Sequence, residues 1–267
     1  MPVRLGVSLV AEKPLPLSEI SPDRLHGLFF SIAGEELARE LHSYSKVKPF
    51  TLSFYLQSGG KRRSIFSDGE NGEVERLHIG ISFLNESLFP RFLSSFVLNE
   101  QKDFYLGKFK LRKIRKPYIT DKNIKSYRNL FEESKPQMRI MFEFITPTTF
   151  KKGKYDWLIP DPKLIFKGLI RKWQTFSDFG IDIDLREVVK NKVIVAGAWI
   201  GTKRIEFSDF GWVGGFTGSV ILHLDTEEER TLRWLNALAR FAEFAGVGRK
   251  TTMGLGQVRF REVVPES

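Results

Sequence analysis

The order of predicted strands and helices repeats once along the chain, and this repeat restricts the fold more than any other feature. Each copy runs strand, helix, strand, strand, helix, strand, with period-two alternation in the strands and helical spacing between them. This order is typical of the ferredoxin-like (RRM-like) βαββαβ unit, in which two helices cover one face of a four-stranded antiparallel sheet. We therefore predict an α+β protein of two tandem ferredoxin-like domains, which explains a length of 267 residues better than one large domain.

The first copy is predicted from residue 1 to residue 118. Ser21 before Pro22 is typical of a capped helix start, and Gly34 is expected to interrupt that helix before it resumes at 35–41. A polar, glycine-rich hairpin loop carrying Lys61, Arg62 and Arg63 is expected at 58–75. Strands are predicted at 3–10, 49–56, 76–84 and 104–116, and the second helix at 88–98.

The second copy is predicted from residue 138 to residue 267, after a charged connecting segment at 119–137. Its expected strands are 138–145, 193–207 (one strand or a pair of strands), 214–224 and 257–264. Its expected helices are 161–176 and 227–245, and a turn-rich loop is expected at 146–154. The helix at 161–176 carries Leu164, Ile165, Gly168, Leu169, Lys172 and Trp173 along one side.

Charge and cysteine content narrow the function. The net charge of +10 indicates an anionic partner, with nucleic acid first and a membrane surface second, although a lysine-rich, thermophilic surface is an alternative. The absence of cysteine excludes cysteine-based zinc fingers, thiol catalysis and disulfides, and is compatible with the expected cytoplasmic location. The first apolar run is too short for a signal peptide, and no window approaches the ~20 apolar residues of a membrane span.

A glycine-rich loop between the last helix and the last strand is the strongest binding motif. It contains Gly246, Gly248, Arg249, Lys250, Thr251, Thr252, Gly254 and Gly256. A dinucleotide fingerprint must follow a strand and open a helix, and here the order is reversed, so no nucleotide cofactor is expected. Glycines permit close backbone approach, and Arg, Lys and hydroxyl groups bind phosphates, so we predict that this loop binds RNA. The alternative is a plain helix-to-strand turn.

One of the four histidines stands apart from the others. His42 ends a predicted helix and is followed by Tyr44, Lys46 and Lys48, which places a titratable group beside a hydroxyl and fixed cations. Cleavage of RNA through its 2′-OH needs a proton acceptor, a proton donor and a cation near the phosphate, and this cluster supplies those groups. His26 would lie about 24 Å from His42 in a continuous helix, but a reversal at Gly34 would bring the two closer. The alternating strand positions of the other two histidines predict structural roles for His78 and His223.

Carboxylates and aromatic residues carry weaker signals. The carboxylates of Asp182, Asp184 and Glu187 lie in a stretch predicted to be irregular and solvated, so no metal site is expected there. No run of exposed aromatics typical of RNA-binding sheets is present, so the strand phenylalanines are predicted to be mostly core: Phe50, Phe54, Phe142, Phe144, Phe150 and Phe216.

Two segments together resemble a known family. The sequence G-V-G-R-K-T-T-M-G-L-G before a last strand resembles the glycine-rich signature of the RAMP superfamily of CRISPR-associated proteins. The segments L-H-G-L-F-F and L-H-S-Y-S-K-V-K-P-F-T-L-S resemble the repeat-processing endoribonuclease of that superfamily, the sixth Cas family. The tandem ferredoxin-like prediction agrees with that family's architecture.

The resemblance implies metal-independent cleavage of CRISPR precursor RNA within its repeats, by attack of the 2′-OH on the adjacent phosphate. Some family members use a tyrosine, a histidine and a lysine, and the histidine falls on His42 and the lysine on Lys48. The tyrosine position falls on Phe30, which has no hydroxyl, so His26 or Tyr44 is the expected replacement, unless the proton transfers are shared differently. Arg249, Lys250 and Thr251 would hold the RNA backbone.

Two other functions stay open at the level of sequence. One is a non-catalytic RAMP subunit that binds guide RNA in an effector complex, and the other is a general single-strand RNA-binding protein. CRISPR repeat RNA is the expected partner in the leading hypothesis, with contacts to other Cas proteins and a homodimer as further expectations; no cofactor, metal or membrane partner is expected.

Overall fold

The computed structural model describes residues 1–44, 46–67, 72–98, 103–114, 116–120, 123–209 and 211–263. This part of the chain forms two units, each an antiparallel sheet packed against helices, and a separate two-stranded hairpin. The two units confirm the predicted α+β fold of tandem ferredoxin-like domains.

The first unit contains these elements: β1 (Val3–Pro16), α1 (Pro22–Ala33), α2 (Glu35–Ser43), β2 (Phe50–Ser58), β3 (Lys61–Ser64), β4 (Glu73–Phe83), α3 (Leu88–Leu98), β5 (Phe104–Leu106) and β6 (Phe109–Lys113). The sheet has the order β3-β2-β4-β1-β6-β5, and its central four strands give the ferredoxin-like order β2-β4-β1-β6. Alternate residues of β1, including Leu5 and Val7, pack with Leu25 of α1 and Phe92 of α3. This alternation explains why the strand buries one face.

The second unit follows with these elements: β7 (Arg139–Thr148), β8 (Phe150–Lys152), β9 (Tyr155–Trp157), α5 (Pro162–Phe176), α6 (Leu185–Lys192), β10 (Val193–Phe207), β11 (Gly211–Leu224), α7 (Glu229–Ala245) and β12 (Val258–Glu262). The sheet order is β10-β11-β7-β12, and β8 pairs with β9. Its core packs Phe142 of β7 against Trp173 of α5 and Trp234 of α7. The six strand phenylalanines predicted as core are all buried.

The segment between the units is packed against both of them. A short helix, α4 (Tyr127–Glu132), buries Tyr127 in the second core, while the Tyr127 hydroxyl donates to the Leu84 carbonyl of the first unit at 2.9 Å. Tyr118 and Ile124 form bridges to β1. The connecting segment therefore holds the two sheets together in addition to joining them.

Two predicted elements of the first unit differ from the structure. The single strand predicted at 104–116 is a hairpin of β5 and β6, because Gly107 turns the chain with a φ of 58°. The loop predicted at 58–75 begins with β3, which carries Lys61, Arg62 and Arg63 and pairs with β2. Residues 68–71 of that loop, and Arg115 of the predicted strand, lie outside the described residues.

Two predicted loops of the second unit also contain regular structure. The loop predicted at 146–154 includes the end of β7 and all of β8. The stretch around Asp184 that was predicted to be irregular begins α6, because the Asp184 carboxylate caps the helix by accepting the Arg186 and Glu187 backbone N–H groups at 3.1 and 3.3 Å. The predicted end of the last strand, at residue 264, lies outside the described residues.

Buried hydrogen bonds join the two units. The Thr51 hydroxyl of β2 donates to the Phe244 carbonyl at the end of α7, at 2.8 Å. The Gln257 amide, next to β12, donates to the Leu52 carbonyl of β2 at 2.9 Å. The start of the last strand of the second unit is thereby fixed against a central strand of the first.

Candidate functional site

A sharp reversal between α1 and α2 brings two histidines onto one aromatic ring. Gly34 ends α1 and begins α2 with a φ of 83°, a conformation that L side chains rarely adopt. The Phe30 ring centroid lies 4.7 Å from that of His26, edge to face, and 4.1 Å from that of His42, stacked. The structure thus brings His26 and His42 together, as the predicted reversal at Gly34 required.

The two histidines have different environments. His42 is exposed in the last turn of α2, whereas His26 is largely buried in α1. Burial, followed by the positive charges of His42, Lys48 and Lys250, lowers the pKa of His26 to about 4. At neutral pH the His26 imidazole is therefore uncharged and keeps one nitrogen that can accept a proton.

Lys48 holds the end of the helix that carries His42. Its ammonium group donates to the Leu41 carbonyl at 3.0 Å and to the His42 carbonyl at 3.2 Å. These are carbonyls of the last turn, which carry the negative end of the helix dipole, so a lysine at this position stabilises the helix. Burial lowers the pKa of Lys48. Its contacts orient the backbone of His42.

Tyr44 faces the second unit. Its ring lies 6.4 Å from the ring of Phe176, the last residue of α5, at an angle of 58°. The ring contacts of Phe30 instead include both histidines. Of the two residues expected to replace the family tyrosine, His26 is the one that contacts Phe30.

The glycines of the loop at 246–256 allow the backbone to pack closely on itself. Gly246, Gly248, Gly254 and Gly256 all have positive φ. A Cβ at Gly256 would lie 1.9 Å from the Val247 carbonyl oxygen, and a Cβ at Gly248 would lie 2.4 Å from the Thr149 carbonyl oxygen. The observed need for glycine is therefore internal packing, whereas the sequence suggested room for a phosphate backbone.

The charged residues of this loop face different neighbours. The Arg249 guanidinium forms an ion pair with Asp156 of β9 at 2.5 Å. Lys250 has a left-handed backbone with a φ of 58°, and its ammonium lies 4.6 Å from the ring centroid of Phe207. Burial, and then the charge of Arg249, lowers the pKa of Lys250 to about 8. The turn at Thr251–Met253 packs against α1, the helix of His26, and the Lys250 charge contributes to the lowered pKa of His26. The loop therefore lies beside the helix that carries His26.

The two threonines of the loop are placed differently. Thr251 is 6% exposed and faces the interior, while Thr252 is partly exposed. An RNA contact by this loop stays a prediction for its accessible residues, Gly248, Arg249, Lys250 and Thr252.

A buried lysine of α5 contacts the end of α7 and the glycine loop that follows it. Lys172 of α5 donates to the Ala245 carbonyl at the end of α7 and lies 3.3 Å from the Thr251 hydroxyl. Burial, with a smaller contribution from Arg171, lowers the pKa of Lys172 to about 7. Sequence reasoning assigned Lys172 only a place on one side of the helix, although a lysine within an apolar stripe was a usable signal.

Asp23 was also missed by sequence reasoning. Its carboxylate accepts the backbone N–H groups of Ser208 and Asp209 at 3.0 to 3.1 Å, which ties α1 to the turn between β10 and β11. No sequence signal links these positions because they are far apart in the chain.

The acidic residues considered for a metal have structural partners. Asp182 pairs with Arg230 and accepts the indole N–H of Trp234 at 2.8 Å, while Asp184 caps α6. Within the described ranges, no group of three His, Asp or Glu side chains is arranged to hold a metal ion. No helix in that same part of the chain is both long and apolar enough to cross a membrane.

The comparisons with known proteins all identify the same family. The family model for the CRISPR-associated endoribonuclease Cas6 matches residues 142–258. A curated CRISPR-associated endoribonuclease Cas6 of Mycobacterium tuberculosis is 30% identical over 49% of this chain, and the match spans 42% of the relative's length. The chain thus spans less than half the length of that curated relative.

Solved structures align over nearly the whole chain. A Cas6 product complex is 30% identical with a TM-score of 0.79, covering 98% of this chain and 100% of the other. A histidine-to-alanine mutant of a Cas6 protein is 25% identical with a TM-score of 0.70, at the same coverage.

Proposed function

Since the chain belongs to the Cas6 family of CRISPR-associated endoribonucleases, we propose that it cuts CRISPR precursor RNA within its repeats, without a metal ion, to give guide RNAs. The observation that carries this proposal is the contact of both His26 and His42 with Phe30, beside Lys250. Two imidazoles that contact the same phenylalanine ring can supply the proton acceptor and the proton donor for cleavage by attack of the 2′-OH. The description of the curated relative as an endoribonuclease supports RNA as the substrate.

In the proposed reaction, the ribose 2′-oxygen forms a bond to the adjacent phosphorus and its proton passes to the uncharged His26. The bond from phosphorus to the 5′-oxygen breaks, and that oxygen takes a proton from His42. The products are a 2′,3′-cyclic phosphate and a 5′-OH. Lys250 offsets the negative charge that grows on the phosphate, and Lys48 fixes the position of His42 through the helix end.

A cleavage assay with labelled repeat RNA in EDTA tests the chemistry. We expect His42→Ala to slow cleavage at least ~100-fold, because general acid–base catalysis contributes about that much, while the Kd for RNA changes little. His223→Ala, on β11 and outside the pair, is the matched control and should cut like the wild type. Cleavage by His42→Ala at the wild-type rate would exclude His42 from the reaction, and loss of wild-type cleavage in EDTA would contradict a metal-free mechanism.

A non-catalytic RNA-binding RAMP subunit is the second candidate. Two observations favour it: Phe30 has no hydroxyl, and the Lys48 ammonium is engaged with backbone carbonyls. In that case the wild type would bind repeat RNA tightly and leave it uncut on a denaturing gel. Contacts with other Cas proteins, a homodimer and a cytoplasmic location stay predictions.

A further inference from the structure

A buried lysine in the core of the second unit has no acidic partner among the described residues. Lys172 shares the apolar side of α5 with Leu169 and Trp173, and it is 8% exposed. The charged neighbour that influences it is Arg171, another cation. An ammonium group taken out of water without a counter-ion costs free energy that leucine or methionine at the same position would not. Packing alone therefore does not explain the lysine.

The Lys172 ammonium binds one group of α7 and one group of the glycine loop. It donates to the Ala245 carbonyl, at the negative end of the α7 dipole, and to the Thr251 hydroxyl at 3.3 Å. Ala245 is the last residue of α7, and Thr251 begins the short turn inside the loop. One ammonium group thus joins the two ends of the segment that contains Lys250.

The side chain of Thr251 fills the space between the two ends of the loop. A Cβ at Gly246 would lie 2.9 Å from the Thr251 methyl carbon, and a Cβ at Gly256 would lie 3.3 Å from the same carbon. The methyl group therefore occupies the space that a side chain at either glycine would need, while the hydroxyl accepts from Lys172. The loop closes around a threonine that the lysine holds in place.

The residue before Thr251 has a strained backbone. Among the described residues other than glycine, Lys250 is the one with a positive φ, at 58°. Such a conformation persists only where the surrounding structure imposes it. The Lys250 carbonyl accepts the N–H groups of Met253 at 2.8 Å and Leu255 at 3.4 Å, and this turn packs against α1 and β2. The anchoring of Thr251 by Lys172 is a further restraint on the same backbone.

We propose that Lys172 is a positioning residue for RNA cleavage, which fixes the backbone of Lys250 beside the helix of His26 by holding Thr251. The inference rests on the proposed function for the reaction, whereas the ordering of the loop by Lys172 does not depend on that function. Lys172 thereby determines the conformation of the loop, and this role accounts for a cation at an apolar position.

The test uses two substitutions in the full chain and a matched control. Lys172→Met keeps the length of the side chain and removes the ammonium group, while Thr251→Val keeps the shape of the side chain and removes the hydroxyl. Lys13→Met makes the first change at an exposed position of β1, in the first unit. Because Thr251→Val retains the lysine, it tests the same contact if Lys172→Met does not fold.

Amide hydrogen exchange measures the order of the loop in the absence of RNA. Val247, Arg249 and Gly256 are among the loop residues whose N–H groups donate backbone hydrogen bonds, so their exchange is slowed in the wild type. We expect both loop variants to exchange at least ~10-fold faster than the wild type in peptides covering 246–257, with exchange in β4 unchanged and the control like the wild type. Wild-type exchange of the loop in both variants, or equal acceleration in β4, would overturn the proposal.

A double-mutant cycle on the cleavage of labelled repeat RNA tests whether Lys172 acts through Lys250. We expect Lys172→Met to slow the single-turnover rate ~10-fold in the wild-type background, and less than ~2-fold when Lys250→Ala is already present, because the position of a missing side chain no longer matters. A purely structural defect would slow cleavage by the same factor in both backgrounds, and that result would overturn the positioning role.

The two measurements separate this inference from the proposed function. A wild type that leaves repeat RNA uncut would remove the proposed function. The exchange experiment would still decide whether Lys172 orders the loop, because it uses neither RNA nor cleavage.

Discussion

At the scale of single residues, the low pKa of His26 makes stability depend on pH. The folded state keeps His26 uncharged down to about pH 4, whereas the unfolded chain takes up a proton near pH 6.5. Between these values the unfolded state binds more protons, so the stabilising contribution is present above pH 6.5 and is lost as the pH falls toward 4. The loss amounts to roughly 3 kcal/mol, at about 1.4 kcal/mol per pH unit.

We expect His26→Gln to flatten this dependence, because glutamine does not titrate. Urea unfolding of both proteins at a series of pH values from neutral to 4 measures the difference, and the carboxylates common to both proteins cancel. If the free energies of unfolding of the two proteins changed in parallel with pH, His26 would be protonated as readily in the folded state as in the unfolded chain.

The sequence could predict the histidine pair but not its surroundings. His42 at a helix end and the break at Gly34 are local features, and they were sufficient to expect that His26 and His42 approach each other. Lys172 and Asp23 act through partners on other elements, which no local pattern records. The lowered pKa of Lys250 likewise depends on its burial in the folded protein.

At the scale of elements, the backbone of the glycine loop is hydrogen-bonded both to itself and to β7. The Val247 N–H donates to the Gly256 carbonyl at 2.8 Å, and the Gly256 N–H donates to the Pro147 carbonyl at 3.0 Å. We expect Gly256→Ala to lower the free energy of unfolding by roughly 3 kcal/mol or more, because the new Cβ would overlap the Val247 carbonyl and the φ of 68° is strained for alanine.

Gly168→Ala in α5 is the matched control for this prediction. A Cβ at Gly168 meets no atom within 4 Å, and alanine favours a helix by up to about 1 kcal/mol, so this variant should be neutral or more stable. Thermal unfolding of both variants measures the contrast. Equal stability of the two would show that the loop can open at Gly256 to admit a side chain.

Elements with clear local sequence signals were predicted with the observed limits. Elements whose sequence also fitted another interpretation were missed. The helix at Leu88–Leu98 and the strand at Val193–Phe207 match their predicted limits. The turn at Gly107 was hidden because apolar and basic residues alternate on both sides of it, as they would in one continuous strand. The helix at Leu185–Lys192 was hidden because its carboxylates were weighed as metal ligands and not as caps.

At the scale of the whole molecule, the two units share a buried interface that the sequence does not reveal. Each unit alone satisfies the ferredoxin-like pattern, so periodicity could predict the two units but not how they dock. Besides the hydrogen bonds from Thr51 and Gln257, an apolar cluster at the contact joins Phe66 of the first unit with Phe207 and Leu255 of the second.

We expect the two units to unfold together, and to separate when Thr51→Val and Gln257→Leu are combined. Each change leaves a buried carbonyl without its donor, at a cost of about 1–3 kcal/mol. All five tryptophans lie in the second unit, so tryptophan fluorescence follows that unit while far-ultraviolet circular dichroism follows both. The two signals should coincide for the wild type and diverge for the double variant.

Thr148→Val is the control for the interface. It removes a threonine hydrogen bond of similar burial, to the Thr146 carbonyl at 3.2 Å, that lies entirely within the second unit. The unfolding transitions of Thr148→Val followed by tryptophan fluorescence and by circular dichroism should still coincide. Coincident signals in the double variant as well would mean that the apolar contact alone couples the units.

The packing of the loop at 246–256 against α1 has a consequence for synthesis on the ribosome. Nearly the whole chain separates His26 from Lys250, and N-terminal domains generally fold first during translation. A nascent chain that has completed its first unit holds both histidines but lacks Lys250. Under the proposed function, we expect a polypeptide that stops before residue 250 to lack the cation that offsets charge on the phosphate.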